Sequence, residues 1–267
     1  MDLRPVGVFD SGLGGLTAVK KLRELLPEEN IIYFADSARV PYGEKTPEEL
    51  RRIARQDMDF LSSQNVKVIL AACGTVSCNS AETIENYPLR AFGVKEDAVH
   101  AMVSAEGSGA LGIIATEASI KSGGYYSAIK KLSPEKELIA VSCPDFVPLI
   151  EGGCTGRDDE KLRAAVEKYL RPIKDAKASA VLLGCTHYGI IANALQEYLG
   201  PEVKLVSAAE TAAESISRWI EENKLQGRGG ELKCFTSGSA EEFSLRAETF
   251  LGEKLSIPPV HVPVMEV

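Results

Sequence analysis

Two short runs of this sequence follow one rule. Residues 68–77 read VILAACGTVS and residues 180–188 read AVLLGCTHY. In each, an apolar run of strand length leads into a cysteine, and a hydroxyl residue follows: Thr75 after Cys73, Thr186 after Cys185. A cysteine in an apolar segment is ordinarily inert core, because the residue is among the most buried types. A cysteine where a strand hands over to a helix is different: the helix N-terminus favours the thiolate and is expected to lower the thiol pKa. Cys78, Cys143, Cys154 and Cys234 lack this setting and read as structural. No CxxC pair occurs, so free thiols are expected.

Two poised thiols on opposite walls of a cleft suit racemisation or epimerisation beside a carboxylate. One thiolate takes the proton from one face of the carbon, and the opposite thiol delivers a proton to the other face. The intermediate carbanion needs oriented N–H groups and hydroxyls around the carboxylate, and nearby acids and bases can tune the thiols. The sequence offers helpers. Asp10-Ser11 ends an apolar run ahead of a Gly-rich turn, although an Asp there is also an ordinary turn or capping residue. His187, in an expected loop, follows Cys185 by two residues and can serve it as acid/base partner; a lone His is otherwise a surface or capping group. Tyr42-Gly43 reads as a turn whose backbone can approach a ligand closely. Glu151 precedes Gly152-Gly153 in an expected loop. Cys185 and His187 alone make a poor zinc pattern, since no second pair stands at ligand spacing. The GLGG run at residues 12–15 could cradle a phosphate, but it lacks the GxGxxG spacing and the P-loop lysine.

The segments around these residues alternate in type. Strand-like runs are Val6 to Phe9, Asn30 to Ala35, Val66 to Ala71, Ala110 to Ala115, Glu137 to Val141, Ala180 to Leu183, Val203 to Val206 and Leu232 to Thr236. Helical spacing is expected over Leu16 to Leu25, Pro47 to Ser62, from Glu117, Arg157 to Tyr169, Gly189 to Tyr198 and Ala208 to Glu222. Thr46-Pro47 with Glu49 is a helix start with N-cap, N1 proline and N3 acid. Continuous apolar strands between helices imply parallel sheets covered on both faces, and ligands in such sheets sit beyond the carboxyl ends of strands. Cys73, Cys185, Asp10 and Ser11 all fall there.

The chain of 267 residues is 45% hydrophobic and 25% charged, with a formal net charge of -8. An acidic balance argues against a nucleic-acid surface, which needs clustered Lys and Arg. The opening MDLRPVGVFDSG breaks into a turn after a short apolar run, so no secretion signal is expected. No apolar stretch approaches the roughly 20 residues of a membrane helix, and a cytoplasmic location without membrane partners is the expectation.

The segments GVFDSGLGGLT (7–17), YFADSARVPYG (33–43), AACGTVS (71–77), CPDFVPLIEGG (143–153) and GCTHY (184–188) together make the sequence resemble the glutamate racemases of the cofactor-independent aspartate/glutamate racemase superfamily. The resemblance implies an α/β protein of two Rossmann-like parallel-sheet domains with the active site in the cleft between them. Residues 1–97 plus 207–267 would form the first domain and 98–206 an inserted second. It implies Cys73 and Cys185 as the paired acid/base thiols, assisted by Asp10, His187 and Glu151. Asp10, Ser11, Pro41, Tyr42, Gly43, Gly74, Thr75, Thr116, Ser119, Thr186 and His187 would contact the substrate. It further implies no cofactor and no metal, a homodimer, and a supply of D-glutamate for peptidoglycan.

One site position departs from the family. Gly74 stands where the family usually carries Asn after the first cysteine, so the backbone N–H remains and the amide is lost. A neutral hydrogen bond is worth about 0.5–1.5 kcal/mol net. Gly74→Asn is therefore expected to improve glutamate turnover if that loss is a handicap. The change also leaves open a racemase of another amino acid such as aspartate. Two readings of other classes remain: a Cys-His hydrolase with Cys185 as nucleophile and no role for Cys73, and a binding protein that has kept the cleft without turnover.

Overall fold

The computed structural model describes residues 1–105, 107 and 109–264. Among the described residues, ten strands, all in parallel pairings, form two sheets. They are β1 (Val6–Asp10), β2 (Ile31–Ala35), β3 (Val68–Ala71), β4 (Ala91–Gly93), β5 (Leu111–Ala115), β6 (Leu138–Ser142), β7 (Ala180–Leu183), β8 (Lys204–Ser207), β9 (Leu232–Thr236) and β10 (Val260–His261). The six-stranded sheet has the order β10-β9-β2-β1-β3-β4 and the four-stranded sheet the order β6-β5-β7-β8.

Side-chain alternation assigns the two faces of the larger sheet. Val6 and Val8 of β1, Ile31 and Tyr33 of β2, and Val68 and Leu70 of β3 enter a core that continues through the smaller sheet. Phe9, Ile32, Phe34, Ile69 and Ala71 point the other way, onto the helix Pro47–Ser63 through its Leu50, Ile53, Ala54, Met58 and Leu61. That helix starts as its sequence demands: Thr46 and Glu49 form a reciprocal capping box, with Pro47 at the first turn. Each large apolar side chain buried fully here contributes about 1.5–3 kcal/mol.

The chain order places a crevice in each sheet. From β2 the chain crosses back over β1 to reach β3, and from β6 it crosses back over β5 to reach β7. The loops leaving β1 and β3 therefore depart in opposite senses, as do those leaving β5 and β7; such reversals are where α/β sheets bind ligands. Asp10 and Cys73 flank the first reversal, Thr116 and Cys185 the second.

Several elements differ from the sequence expectation. The helix expected over 157–169 runs Glu160–Asp175, because Asp159 caps it by accepting from the Lys161 and Leu162 N–H groups, each at 3.0 Å. The stretch expected as helix from Gly189 begins as a 3-10 turn over Thr186–Ile191 and becomes α-helical at Ala192–Leu199. The short strand β4 and the helices Lys95–Val103, Gly124–Leu132 and Ala240–Leu251 lacked the periodicity or length that would reveal them locally. No helix of the described residues is long and apolar enough to cross a membrane.

Candidate active site

Both cysteines sit just past strand ends and both are buried, Cys73 at 5% exposure and Cys185 at 8%. Cys73 is the N-cap residue of the helix Gly74–Asn79, and Cys185 precedes the Thr186–Ile191 turn. The halves meet between them. Thr75 Oγ1, beside the first thiol, lies 3.0 Å from Thr116 Oγ1 at the end of β5. Thr116 Oγ1 lies 2.9 Å from Ser119 Oγ and caps the helix Glu117–Lys121. Thr17 Oγ1 donates to the Thr186 carbonyl at 3.1 Å, a second tie from the larger sheet's helices to the turn that carries Cys185.

The two thiols have different neighbours. Cys73 donates to Ser11 Oγ at 3.8 Å. Burial and the facing carboxyl of Asp10 push its pKa well up. This corrects the expectation of a thiol lowered by the helix start: one short turn of helix does not offset desolvation beside a buried acid. Asp10 is itself buried, at 1% exposure, and its Oδ2 accepts the Gly15 N–H at 2.8 Å. Burial raises its pKa against the pull of His187.

Cys185 Sγ lies 3.8 Å from His187 Nδ1, and His187 Nε2 lies 2.8 Å from Glu151 Oε1. Burial opposes charge on His187, but the hydrogen bonds to Cys185 and Glu151, with Asp10 nearby, raise its pKa to about 10. The same hydrogen bond from His187 lowers the pKa of Glu151. Glu151 is the last residue of the helix Phe146–Glu151 rather than a loop residue, and His187 lies in the 3-10 turn rather than a loop. The Phe250 ring packs edge-on against the imidazole, with centroids 5.3 Å apart. Arg246 Nη1 stands 3.9 Å from Glu151 Oε2. Both residues belong to the helix Ala240–Leu251, and no local motif marks them.

The GLGG turn serves packing rather than a phosphate. A Cβ on Gly14 would overlap His187 Nδ1 and Thr186 Oγ1, and one on Gly15 would stand 2.7 Å from the Asp10 Cβ. Glycine lets this turn lie directly against both half-sites.

The Tyr42 side chain packs in the same buried cluster as Cys73. It is buried, and its hydroxyl donates to Asp36 Oδ2 and, at 3.3 Å, to Asp57 Oδ2. Arg39 bridges the same carboxylates, Nε to Asp36 Oδ2 and Nη2 to Asp57 Oδ1, each at 2.6 Å. Ser237 donates to Asp36 Oδ1 at 2.9 Å. This network anchors the turn bearing exposed Pro41 and Gly43, which packs against the helix Glu117–Lys121. Asp57 and Ser237 went unnoticed in the sequence because their partners are distant along the chain.

All six cysteines are free. Among the described residues, no three His, Cys, Asp or Glu side chains converge as a metal site.

Fold and site thus define an α/β protein in which two strand-end cysteines, each with its own acid/base neighbour, face one buried junction. The Asp/Glu/hydantoin racemase family model matches residues 14–216, and the chain belongs to that family. It is 36% identical over 259 residues to glutamate racemase 2 of Caldanaerobacter subterraneus, covering 96% of each chain. The glutamate racemase of Thermus thermophilus, solved in complex with β-chloro-D-alanine, superposes with a TM-score of 0.88 at 37% identity over the full length of both chains. That of Francisella tularensis, solved with D-glutamate, superposes with a TM-score of 0.87 at 33% identity over 98% of each.

Proposed function

We propose that this protein is a glutamate racemase that interconverts L- and D-glutamate through Cys73 and Cys185 without a cofactor. The observation that carries the reading is the meeting of two half-sites, tied by Thr75 and Thr116, in a chain similar along nearly its whole length to glutamate racemases. One of these similar proteins holds D-glutamate.

The unlike surroundings of the thiols set their starting states. Cys73, buried against Asp10, starts as the thiol and so as the acid; Cys185, beside His187 and the Glu151 that pairs with it, acts as the base in this direction. The Cys185 thiolate takes the α-proton, and the bonding electron pair moves into the substrate carboxylate. Cys73 then gives its proton to the opposite face of the carbon, which leaves Cys73 as the thiolate, beside Asp10, and Cys185 as the thiol. The reverse direction exchanges the roles. Hydroxyls of Thr75, Thr116, Ser119 and Thr186, with Ser11 and the backbone of Gly74 and of the Pro41–Gly43 turn, hold the carboxylates and ammonium. Preorganised donors of this kind stabilise the developing enediolate.

The division into residues 1–97 plus 207–267 and residues 98–206 is supported by a switch of sheet between β4 and β5 and back between β8 and β9, with Ser207 itself pairing at the end of β8. The family resemblance supports a cytoplasmic homodimer that supplies D-glutamate for peptidoglycan.

The test is α-proton exchange in deuterated water, followed by NMR without added cofactor, separately on L-glutamate, D-glutamate and L-aspartate. Exchange with inversion on glutamate, lost in Cys73→Ala and in Cys185→Ala, is expected. Exchange on aspartate alone would move the substrate, and silence on all three would overturn the reading.

A further inference from the structure

The position that departs from the family is also where the two halves touch. A Cβ on Gly74 would overlap the backbone carbonyl oxygen of Gly184 and would stand 3.4 Å from the Tyr125 hydroxyl. The hydrogen that takes the place of a side chain on Gly74 therefore faces the Gly184 carbonyl. Tyr125, fully buried, donates its hydroxyl to that same carbonyl at 3.3 Å. Gly184 is equally confined: a Cβ there would stand 2.9 Å from Tyr125 Cε2 and 3.1 Å from the Ala115 Cβ. Each glycine is the immediate neighbour of a site cysteine, Gly74 after Cys73 and Gly184 before Cys185.

We propose that Gly74 is a positioning residue that sets how closely the two half-sites close. Its bare Cα lets the Gly184 carbonyl of the opposite half come into contact, and this backbone contact fixes the separation of Cys73 from Cys185. Any side chain at 74 must push the Gly184 strand end away. Rotating the side chain gives no relief, because the clash is at Cβ and the obstacle is backbone. Glycine at 74 is then an adaptation to a tighter closure and not merely a lost amide. The expectation that Gly74→Asn improves turnover reverses: Asn would hold the thiols apart. Proton transfer between two walls depends steeply on their spacing, whereas weak substrate binding can be sustained by one wall.

The turnover arm of the test rests on the glutamate racemase reading; the second arm does not. Gly74→Ala and Gly74→Asn are compared with the parent in glutamate racemisation and in backbone hydrogen exchange, read by mass spectrometry over peptides covering residues 66–79 and 180–191. A misplacement of about 1 Å can cost roughly a hundredfold in rate. The expected result is a fall of that order in kcat with a smaller change in KM, together with faster exchange in both peptides and unchanged exchange in the Glu160–Asp175 helix. Retained kcat in Gly74→Asn overturns the proposal. So does a fall in kcat without faster exchange, which would make the residue's effect local. Failure of both variants to fold would make the contact a folding requirement and overturn it as well. If the parent does not racemise glutamate, the function falls, and the exchange arm still decides the contact.

Discussion

Thr75 Oγ1 and Thr116 Oγ1 lie 3.0 Å apart, one following the first site cysteine and the other directly after β5 of the second sheet. Ser119 extends the pair into a line of three hydroxyls across the junction. Removing one hydroxyl leaves its partner short of a bond in a buried place, at a cost of about 1–3 kcal/mol. Thr116→Val should therefore lower the melting temperature by a few degrees and, because the hydroxyls border the thiols, lower kcat/KM by roughly fivefold to a hundredfold. Steady-state kinetics beside calorimetry checks this; an unchanged kcat/KM would remove the hydroxyl line from the site.

Cys73→Ala and Cys185→Ala should each lose at least the roughly 10²–10⁴-fold that a positioned acid or base contributes. Both positions are buried at strand ends, so circular dichroism should show the fold retained. Full activity in either variant would exclude a two-thiol mechanism, and full activity of Cys73→Ala alone would favour the hydrolase alternative.

His187 gives a pH signature. Burial opposes its charge, yet the hydrogen bonds to Cys185 and Glu151 raise its pKa from 6.5 to about 10. The folded state thus holds the proton more tightly than the unfolded chain. Its stabilising contribution is complete below about pH 6.5 and is lost as the pH rises through about 10. Melting temperatures of the parent and of His187→Asn should differ most near pH 6 and converge above pH 10. A difference that grows with pH would mean that His187 is held neutral.

Arg246 contacts Glu151 at 3.9 Å with both side chains partly in solvent. Exposed pairs are worth about 0–1 kcal/mol and are screened by salt. Arg246→Ala should reduce kcat/KM by a few-fold at low ionic strength, and the gap should close with added salt. Loss of activity that ignores salt would assign Arg246 another role.

Lys67 and Glu29 form an ion pair at 2.6 Å with side chains 0% and 3% exposed. Lys67 also donates to the carbonyls of Asp2 and Leu225, joining the chain's start to the loop before β9. Lys67→Ala strands a buried carboxylate, which should cost about 3–5 kcal/mol. Urea denaturation measures it; a loss below 1 kcal/mol would show that water reaches Glu29.

Local order was legible because it depends on neighbours in sequence. Apolar runs specified eight of the strands, Thr46 and Glu49 started their helix, and the cysteines after β3 and β7 marked the half-sites. The resemblance of its motifs to the family implied Asp10, Glu151 and His187 as partners of those thiols. Only the tertiary structure decided what depends on the packing of distant segments. It buried Cys73 against Asp10, reversing the direction expected of its thiol, and turned the Tyr42 side chain onto Asp36 and Asp57. It brought Arg246 and Phe250 to Glu151 and His187, and it set Gly74 against the Gly184 carbonyl. Sequence fixes a residue's chemistry and its local backbone; desolvation, charge pairing and steric closure come from whichever segments the fold places opposite it.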